Sequence, residues 1–461
     1  MQKYGIVIIG AGIGGLFAAY KLRKGNSTKS ILIIDEGNEL NKRKCYATNG
    51  QSCVHCKTCA ITSGVAGSGA FSDAKFNIGT AYGGTLGEEI GEQDAMFYIT
   101  EVDKILESFS ENYPKIYESN EELKLKCLNH NLHLLDMNVR HLGTDRNFIT
   151  MQNLIRWLEQ NNVEIQSNTK CIALYKSTLD NYTLRISNKN KEEYNIYANE
   201  VIISTGRGGA NFVKKVCDEF NISTEVNSVD IGVRVEMKDI IWREFSSKIY
   251  EPKILYKTKT FEDKTRMFCF NQGGIVSAEN NKGIITANGH SFADFDKKTD
   301  NCNFAILSST HFTEPFNQPT EYAENISRLA NMIGNGNVLV QRFGDLIRGR
   351  RTTEHRLSQN SVKPTLNATA GDLSLVLPHR ILTNIIETIY ALDKVALGTA
   401  NDDTLLYGCE SKYYSLKPKH NQNFEIANNL YLIGDGSGIS RGLSQAAAMG
   451  IYVADKILKK T

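Results

Sequence analysis

Tyr4-Gly5-Ile6-Val7-Ile8-Ile9 runs directly into Gly10-Ala11-Gly12-Ile13-Gly14-Gly15, and a second apolar run, Ile31-Leu32-Ile33-Ile34, ends at Asp35. The order is strand, glycine turn, helix, strand and acid, the arrangement that cradles the ADP half of a dinucleotide. Gly10 permits the tight turn, Gly12 lets backbone N–H groups approach a pyrophosphate, and Gly15 lets the helix pack on the strand. The helix start offers unpaired N–H groups and the positive end of its dipole to phosphate. Asp35 follows Gly15 by twenty residues, where a carboxylate accepts hydrogen bonds from ribose hydroxyls. A glycine-rich turn in some other α/β protein would share the glycines but not this context on both sides.

The far end of the chain bears on which dinucleotide is held. Leu430-Tyr431-Leu432-Ile433 is a short strand of buried type, followed by Gly434-Asp435-Gly436-Ser437-Gly438. Arg441-Gly442-Leu443 then open a helix of small residues containing Ala446-Ala447-Ala448, and Val201-Ile202-Ile203-Ser204-Thr205-Gly206-Arg207 lies between the two ends. These pieces resemble, in order, the fingerprints of the glutathione-reductase-like flavoproteins. The resemblance implies FAD, with Asp435 on the ribityl chain. It also implies that the helix after it faces the flavin pyrimidine carbonyls, where its N-terminus can stabilise negative charge on the reduced ring.

Composition fits a soluble enzyme of two or three domains. The 461 residues carry 53 basic and 51 acidic side chains, so no global field draws the chain to nucleic acid or membrane. Residues 4–20 are uncharged, but their glycines and a length short of about 20 residues argue against a membrane span. No signal peptide is visible. Ten cysteines without a secretory signal point to a reducing compartment, and the expected location is the cytoplasm.

Apolar residues at Met96, Ile99, Val102, Ile105 and Leu106 predict a helix over 92–109, and Leu154, Ile155 and Leu158 predict another over 152–161. Glu164-Ile165-Gln166 leads to a strand at 169–174, and alternation from Tyr182 through Ile186 and Tyr194 to Val201 predicts a hairpin. After Arg207 the character changes. Residues 229–236 alternate as a half-buried strand, further strand-like runs follow at 266–270, 274–277 and 283–287, and helices are expected at 319–334 and 377–392. The expected fold is α/β, a Rossmann-like FAD-binding domain (GxGxxG) over 1–210 and 401–461, with an inserted α+β, β-rich substrate domain over 211–400. No internal repeat, low-complexity tract or long charge block interrupts it.

A wider resemblance rests on further motifs. Gly64-Val65-Ala66-Gly67-Ser68-Gly69-Ala70-Phe71-Ser72-Asp73-Ala74-Lys75-Phe76 is similar to the Gly-Ala-Gly-x-Phe-Ser-Asp-Gly-Lys of the bacterial FAD-dependent dehydrogenases. Gly143-Thr144-Asp145, Val233-Arg234-Val235-Glu236, Phe268-Cys269, Asn288-Gly289-His290, Asn303-Phe304-Ala305, Gln341-Arg342-Phe343-Gly344-Asp345 and 403–408 extend the likeness end to end. One departure is Ala74, where the pattern has a glycine suited to a positive φ or a close approach. The resemblance implies FAD contacts from Gly10, Gly12, Gly14, Gly15, Asp35 and Glu36, and from Gly69, Ala70, Ser72 and Asp73. It adds Cys171 at the adenine edge, Thr205, Gly206 and Arg207, and finally Gly434, Asp435, Gly442, Leu443 and Ala446. It supplies no substrate.

Cys45, Cys53, Cys56 and Cys59 give C-x7-C-x2-C-x2-C just after the second strand. Four thiolates suit zinc or an iron–sulfur cluster. Two suffice for a redox dithiol beside a flavin, and free structural cysteines are the third reading. Candidates for chemistry are Lys75, which with Asp73 can flank flavin N5 or substrate, Arg351 and His355 in a cationic stretch, and Glu410 as a general acid. Arg348-Gly349-Arg350-Arg351 can clamp a carboxylate or phosphate, or form a solvated loop. Gly334-Asn335-Gly336 lacks a strand–helix frame, so NAD(P)H would dock only transiently, and a separate redox partner is an equal alternative.

The function these residues point to is an FAD-dependent oxidoreductase moving hydride between flavin N5 and a small, anionic substrate, without nucleic-acid or membrane partners. The rivals are a flavin-dependent RNA-modifying enzyme and a flavin/thiol electron-relay subunit. Near-neutral charge and the lack of a basic, aromatic-rich tract count against the first rival.

Overall fold

The first apolar run forms the strand Gln2–Ile9, which lies in a parallel sheet between Ile31–Ile34 and Glu193–Ile203. Leu430–Leu432 pairs parallel to the outer side of Glu193–Ile203, and Val163–Gln166 to that of Ile31–Ile34. Residues 6–9, 31–34 and 201–203 are buried on both faces, which is why their sequences are continuous apolar runs. Tyr182–Ser187 pairs antiparallel with Glu193–Ile203 as the expected hairpin, and Lys170–Lys176 pairs with Tyr182–Ser187. This computed structural model describes residues 2–45, 56, 58–72, 74–136, 138–177, 181–225, 228–281, 283–290, 298–313, 315–316, 318–412 and 416–460. The chain divides into two units, Met1–Tyr117 with Met137–Glu225 and Ser415–Thr461, and Glu118–Asp136 with Val226–Tyr414.

In the first unit the helix Ile13–Lys24 packs against the last helix, Leu443–Lys460, which in turn packs on Glu92–Phe109. The first pair approach so closely that a Cβ on Gly450 would overlap the Gly14 carbonyl oxygen. Glu92–Phe109 buries Ile99, Val102, Ile105 and Leu106 of the predicted stripe, with Met96 half-buried. The next helix, Thr144–Gln160, begins eight residues before the predicted start at 152, because its first buried positions are the polar Asn147 and Thr150. Both are hydrogen-bonded, Asn147 Nδ2 to the Gly69 carbonyl at 2.9 Å and Thr150 to Ser110 Oγ at 2.7 Å.

The second unit centres on Val229–Lys238, antiparallel to Asn301–Thr310 on one side and Leu405–Lys412 on the other. Lys264–Gln272, Ile254–Lys257 and Leu132–Leu134 continue the sheet beyond Asn301–Thr310, with Leu339–Arg342 and Thr369–Ala370 at the other edge. The alternation at 229–236 suggested a strand with one wet face, yet all of residues 229–237 are buried. Ile231, Val233, Val235 and Met237 join the main core with Trp242 and Phe304. The polar residues of the other face are matched instead of solvated: Asp230 by Arg266 and Ser309, Arg234 by Glu410, Glu236 by Tyr407 and Thr365. Pairing is what makes burial of such groups tolerable.

The unit boundaries differ from the expected 211–400. Leu132–Leu134 hydrogen-bonds as an edge strand to Ile254–Lys257, and Leu123 and Cys127 of the helix Glu121–Leu128 enter the second core. Conversely, Val213, Val216 and Cys217 of Ala210–Glu219 pack into the first unit. Among the described residues no helix is long and apolar enough to cross a membrane.

Gly450→Ala should force the first and last helices apart and destabilise the protein by about 1–3 kcal/mol, as overpacking does. A Tm within error of wild type in thermal unfolding would contradict this packing.

Candidate functional site

Four strand ends meet at one edge of the parallel sheet, and hydrogen bonds lock them together there. Gly10 N–H donates to the Ile34 carbonyl at 2.8 Å, Ser204 N–H to Ile9 at 2.8 Å, and Ile433 N–H to Ile203 at 2.9 Å. Gly10 has φ +105°, and a Cβ on it would overlap the Ser204 carbonyl. A Cβ on Gly15 would overlap the Gly10 carbonyl oxygen, so this glycine carries the helix onto the strand. Gly12 differs: the nearest atom to its Cβ position is Ser204 O at 4.0 Å, and no side chain caps the helix that starts there. An open cradle over an uncapped helix N-terminus is what a diphosphate requires.

Asp35 secures the turn as well as facing it. Its Oδ2 accepts from Ala11 N–H and its Oδ1 from Gly37 N–H, both at 2.9 Å. Burial pushes its carboxyl up, while those two N–H groups and Arg43 pull it down; the balance lies above the ordinary value. Each carboxylate oxygen keeps a lone pair for a ribose hydroxyl. Asn168 and Thr169 N–H groups bond Gly37 and Asp35 carbonyls at 2.7 Å, which brings the start of Lys170–Lys176, including Cys171, beside this acid. Cys171 is buried, its Sγ donating to Ala173 O at 3.3 Å, and burial pushes its thiol up to about 12, so it offers backbone and not thiol chemistry. Glu36 is exposed and pairs with Lys170 at 2.7 Å.

The glycine-rich segment is laid on this turn by a residue the sequence reading did not single out. Arg43 is 4% exposed and donates to the carbonyls of Ala60, Ile61, Val65 and Gly67 at 2.8–2.9 Å, with its guanidinium over the Phe71 ring. Ala66 N–H then bonds Ala11 O at 2.9 Å, and Gly67 packs on Gly12. Within the basic run Lys42-Arg43-Lys44 nothing distinguishes Arg43 from a solvated charge. Gly69 sits against Leu443, where a Cβ would come within 2.6 Å of Cδ2, and Ala70 beside it is fully buried. Ser72 Oγ accepts from Ala74 N–H at 3.1 Å. Ala74 has φ +51° in a fully buried position, so the alanine does occupy the conformation that suits glycine.

On the other side, Asp435 faces Arg207 at 3.7 Å and accepts from Ser440 Oγ at 2.8 Å. Burial raises its carboxyl above the ordinary value against the pull of Arg207, Ser440 and Arg441. Nothing lies within 4 Å of a Cβ position on Gly206, and a Cβ on Gly442 would approach no atom nearer than Gly83 Cα at 3.4 Å. Gln445, also missed, ties the start of the last helix to residues 82–86, donating to Tyr82 O at 3.0 Å and accepting from Leu86 N–H at 3.2 Å. The hydroxyl of Thr205 is buried with no hydrogen-bond partner among the described residues. Ala446 shapes the same wall: its carbonyl oxygen lies 3.0 Å from a Cβ position on Gly14. The open cradle, the paired carboxylates and the orphaned hydroxyl fit FAD.

Other expected site residues lie elsewhere. Lys75 begins the strand Lys75–Asn77, opposite His141, and is half-buried; Asp73 lies outside the described residues. Of the cysteines, Cys56 and Cys59 are exposed, Cys45 is half-buried, and Cys53 lies outside the described residues. Among the described residues no group of three or more His, Cys, Asp or Glu side chains can hold a metal ion, so Cys45, Cys56 and Cys59 do not on their own form the metal site their spacing suggests.

In the second unit Glu410 is completely enclosed, both carboxylate oxygens directed at Arg234 at 2.9–3.0 Å and Lys412 a further 3.2 Å from Oε1. It anchors a buried arginine there. Arg348 pairs with Asp402 and Arg350 with Asp345, each at 2.7 Å, whereas Arg351 and His355 are exposed.

Residues 228–413 match the family described as FAD-dependent protein, C-terminal domain-like, and residues 8–56 match the NAD(P)-binding Rossmann-like domain. With the cradle, these matches define an FAD-dependent oxidoreductase, and so an enzyme. An uncharacterized protein of Clostridium beijerinckii is 25% identical, over 98% of this chain and 80% of its own. Among solved structures, p-nitrophenol 4-monooxygenase PnpA from Pseudomonas putida is 9% identical with a TM-score of 0.40, covering 100% of this chain and 80% of that one. Aklavinone-11 hydroxylase, crystallised with FAD and aklavinone, is 10% identical with a TM-score of 0.41, covering 100% and 62%. The chain thus spans less than two thirds of the hydroxylase, and of AlpK, which it matches over 60% of that chain.

Asp345 gives a pH test of the cationic stretch. Burial would raise its carboxyl, but Arg350, Thr352 and Arg342 outweigh it and hold it below the ordinary carboxylate range. A lowered folded pKa stabilises the fold above the unfolded value and is lost as pH falls through the folded one. Asp345→Asn should therefore be less stable than wild type at pH 7, with the difference shrinking below about pH 4. Urea unfolding across that range should show the two curves converging; a constant gap would exclude the ionised form as the cause.

Proposed function

We propose that this oxidoreductase exchanges hydride with a small anionic substrate. The observation that carries the reading is the meeting of Gly10–Gly15, Asp35, residues 204–207 and Asp435 at one edge of a single parallel sheet. Bound there, FAD supplies two-electron exchange at N5 of its ring. The first-turn N–H groups of Ile13–Lys24 hold the diphosphate, Asp35 the ribose and Asp435 the ribityl hydroxyls. Arg43 and Asn147 keep residues 60–69 in place over the turn. Lys75 is the proposed polar group toward the reacting end, and Arg351 and His355 recognise the anion. These two are chosen over Arg348 and Arg350 because the latter already neutralise Asp402 and Asp345. A small-molecule substrate and a separate electron donor, nicotinamide or protein, complete the scheme.

Asp435→Ala should weaken FAD binding by about 1–3 kcal/mol through lost hydrogen bonds. Flavin absorbance after gel filtration measures it; a wild-type protein that neither carries nor takes up FAD would end the reading.

Arg351→Ala should leave flavin content unchanged and raise KM for the substrate about tenfold, the worth of a charged hydrogen bond. Substrates are found by anaerobic bleaching of the bound flavin with small carboxylates and phosphates. An unchanged KM would return the stretch to a solvated loop.

A further inference from the structure

Cys56-Lys57-Thr58-Cys59 closes the cysteine-rich segment of the first unit, and hydride transfer to a small anion makes no use of it. Both cysteines are exposed, and the chain bends at Thr58 between them. Arg43 fixes the backbone that follows. Its Nε donates to the Ala60 carbonyl at 2.9 Å and its Nη2 to the Ile61 carbonyl at 2.8 Å. In a trans peptide the N–H points opposite to the carbonyl of the same unit. Drawing those two carbonyls onto Arg43 therefore turns the N–H groups of Ile61 and Thr62 the other way. The Cys59 sulfur accepts from both of them, and from the Thr62 hydroxyl as well.

Successive N–H groups converging on one atom make a nest that favours negative charge there. Burial would raise the Cys59 thiol, but the Thr62 and Ile61 donors and the charge of Arg43 outweigh it and hold it below the ordinary value. Arg43 itself is 4% exposed, so little water screens it from the sulfur. A thiolate prepared in this way is the attacking form in disulfide exchange. The second thiol, Cys56, stands three positions back across the bend. Turning the chain at that point lets two such sulfurs reach the bonding distance of about 2.05 Å.

We propose that Cys59 and Cys56 are a redox dithiol that reduces a small-molecule disulfide, with Cys59 as the attacking sulfur and Cys56 as the resolving one. The Cys59 thiolate attacks one sulfur of R–S–S–R; a mixed disulfide forms, the R–S–S–R bond breaks, and RS⁻ leaves to take up a proton. Cys56 then loses its proton and attacks the Cys59 sulfur. The Cys56–Cys59 bond forms as the second RS⁻ departs and is protonated. Overall the dithiol gives up two electrons and two protons, and one disulfide becomes two RSH. The division of roles follows from the donors, since the N–H groups of Ile61 and Thr62 and the Thr62 hydroxyl are directed at Cys59. Arg43 is a positioning residue here, acting through the backbone of residues 60–62 and through its charge.

The test uses the reduced full-length protein with EDTA present, mixed with glutathione disulfide, quenched with an alkylating agent and mapped by peptide mass spectrometry. It needs neither bound flavin nor the hydride substrate. Wild type should end with a Cys56–Cys59 disulfide and two glutathiones released, whereas Cys56→Ser should stop at a glutathione mixed disulfide on Cys59. Cys59→Ser should react about threefold more slowly at pH 7, a larger thiolate fraction being partly offset by lower nucleophilicity. The pH profile of Cys59 alkylation by iodoacetamide should have its midpoint below that of the same thiol in denaturant. Thr62→Val, which removes one donor and keeps the shape, should move that midpoint up. A mixed disulfide that persists on wild type, closure onto any other cysteine, or a midpoint unchanged by denaturant would overturn the proposal.

Discussion

The first unit depends on backbones meeting more closely than side chains allow. Gly10 against Ser204, Gly15 against Gly10, and Gly450 against Gly14 leave no room for a Cβ at any of the three contacts. The last of these joins residues more than four hundred positions apart, so the opening and closing segments of the chain can fold only as one piece. The same contacts put the glycine turn, residues 204–206 and the start of the last helix at one sheet edge. An open space then remains over Gly12, bordered by backbone and not by side chains. The binding cradle is therefore a by-product of the packing constraint that holds the unit together.

The second unit is held by a different device. Its central strand has an apolar face in the main core and a polar face that is equally enclosed. Asp230, Arg234 and Glu236 along that face each meet a matched partner on a neighbouring element. Replacing a buried pair by packed apolar groups is often neutral or stabilising, whereas removing one partner costs about 3–5 kcal/mol. The pairs thus contribute little to net stability but penalise any register in which they fail to meet. Strand alignment across Val229–Lys238 and Leu405–Lys412, including the shift at Gly232/Val233, is fixed by that penalty.

Much of the first unit was legible because its signals are local. The parallel strands are apolar runs, the hairpin alternates, and the glycines lie at fixed spacing from Asp35. The polar ladder of the second unit was not, because period-two alternation looks the same whether the polar face meets water or a partner distant in sequence. The edge strand Leu132–Leu134 was missed for a similar reason: three residues carry no periodicity, and their partner lies 120 positions later. From the sequence Glu410 reads as a general acid, and only the fold reveals Arg234 opposite it.

Arg43 and Arg234 show how one residue type serves two ends. Arg234 is neutralised in place, since Glu410 lies against it. Arg43 is surrounded by carbonyl oxygens and an aromatic face, which solvate a cation without cancelling its charge. Burial lowers its pKa to about 10 with Asp35 acting the other way, so it remains charged at neutral pH. In surroundings of low polarity such a charge acts over several ångströms. It lies beneath the loop that rests on Gly12, so the residue that positions this loop also sets a positive potential at the turn. A diphosphate binding there meets preformed geometry and a compensating charge from one side chain, and both are lost together if that side chain is removed.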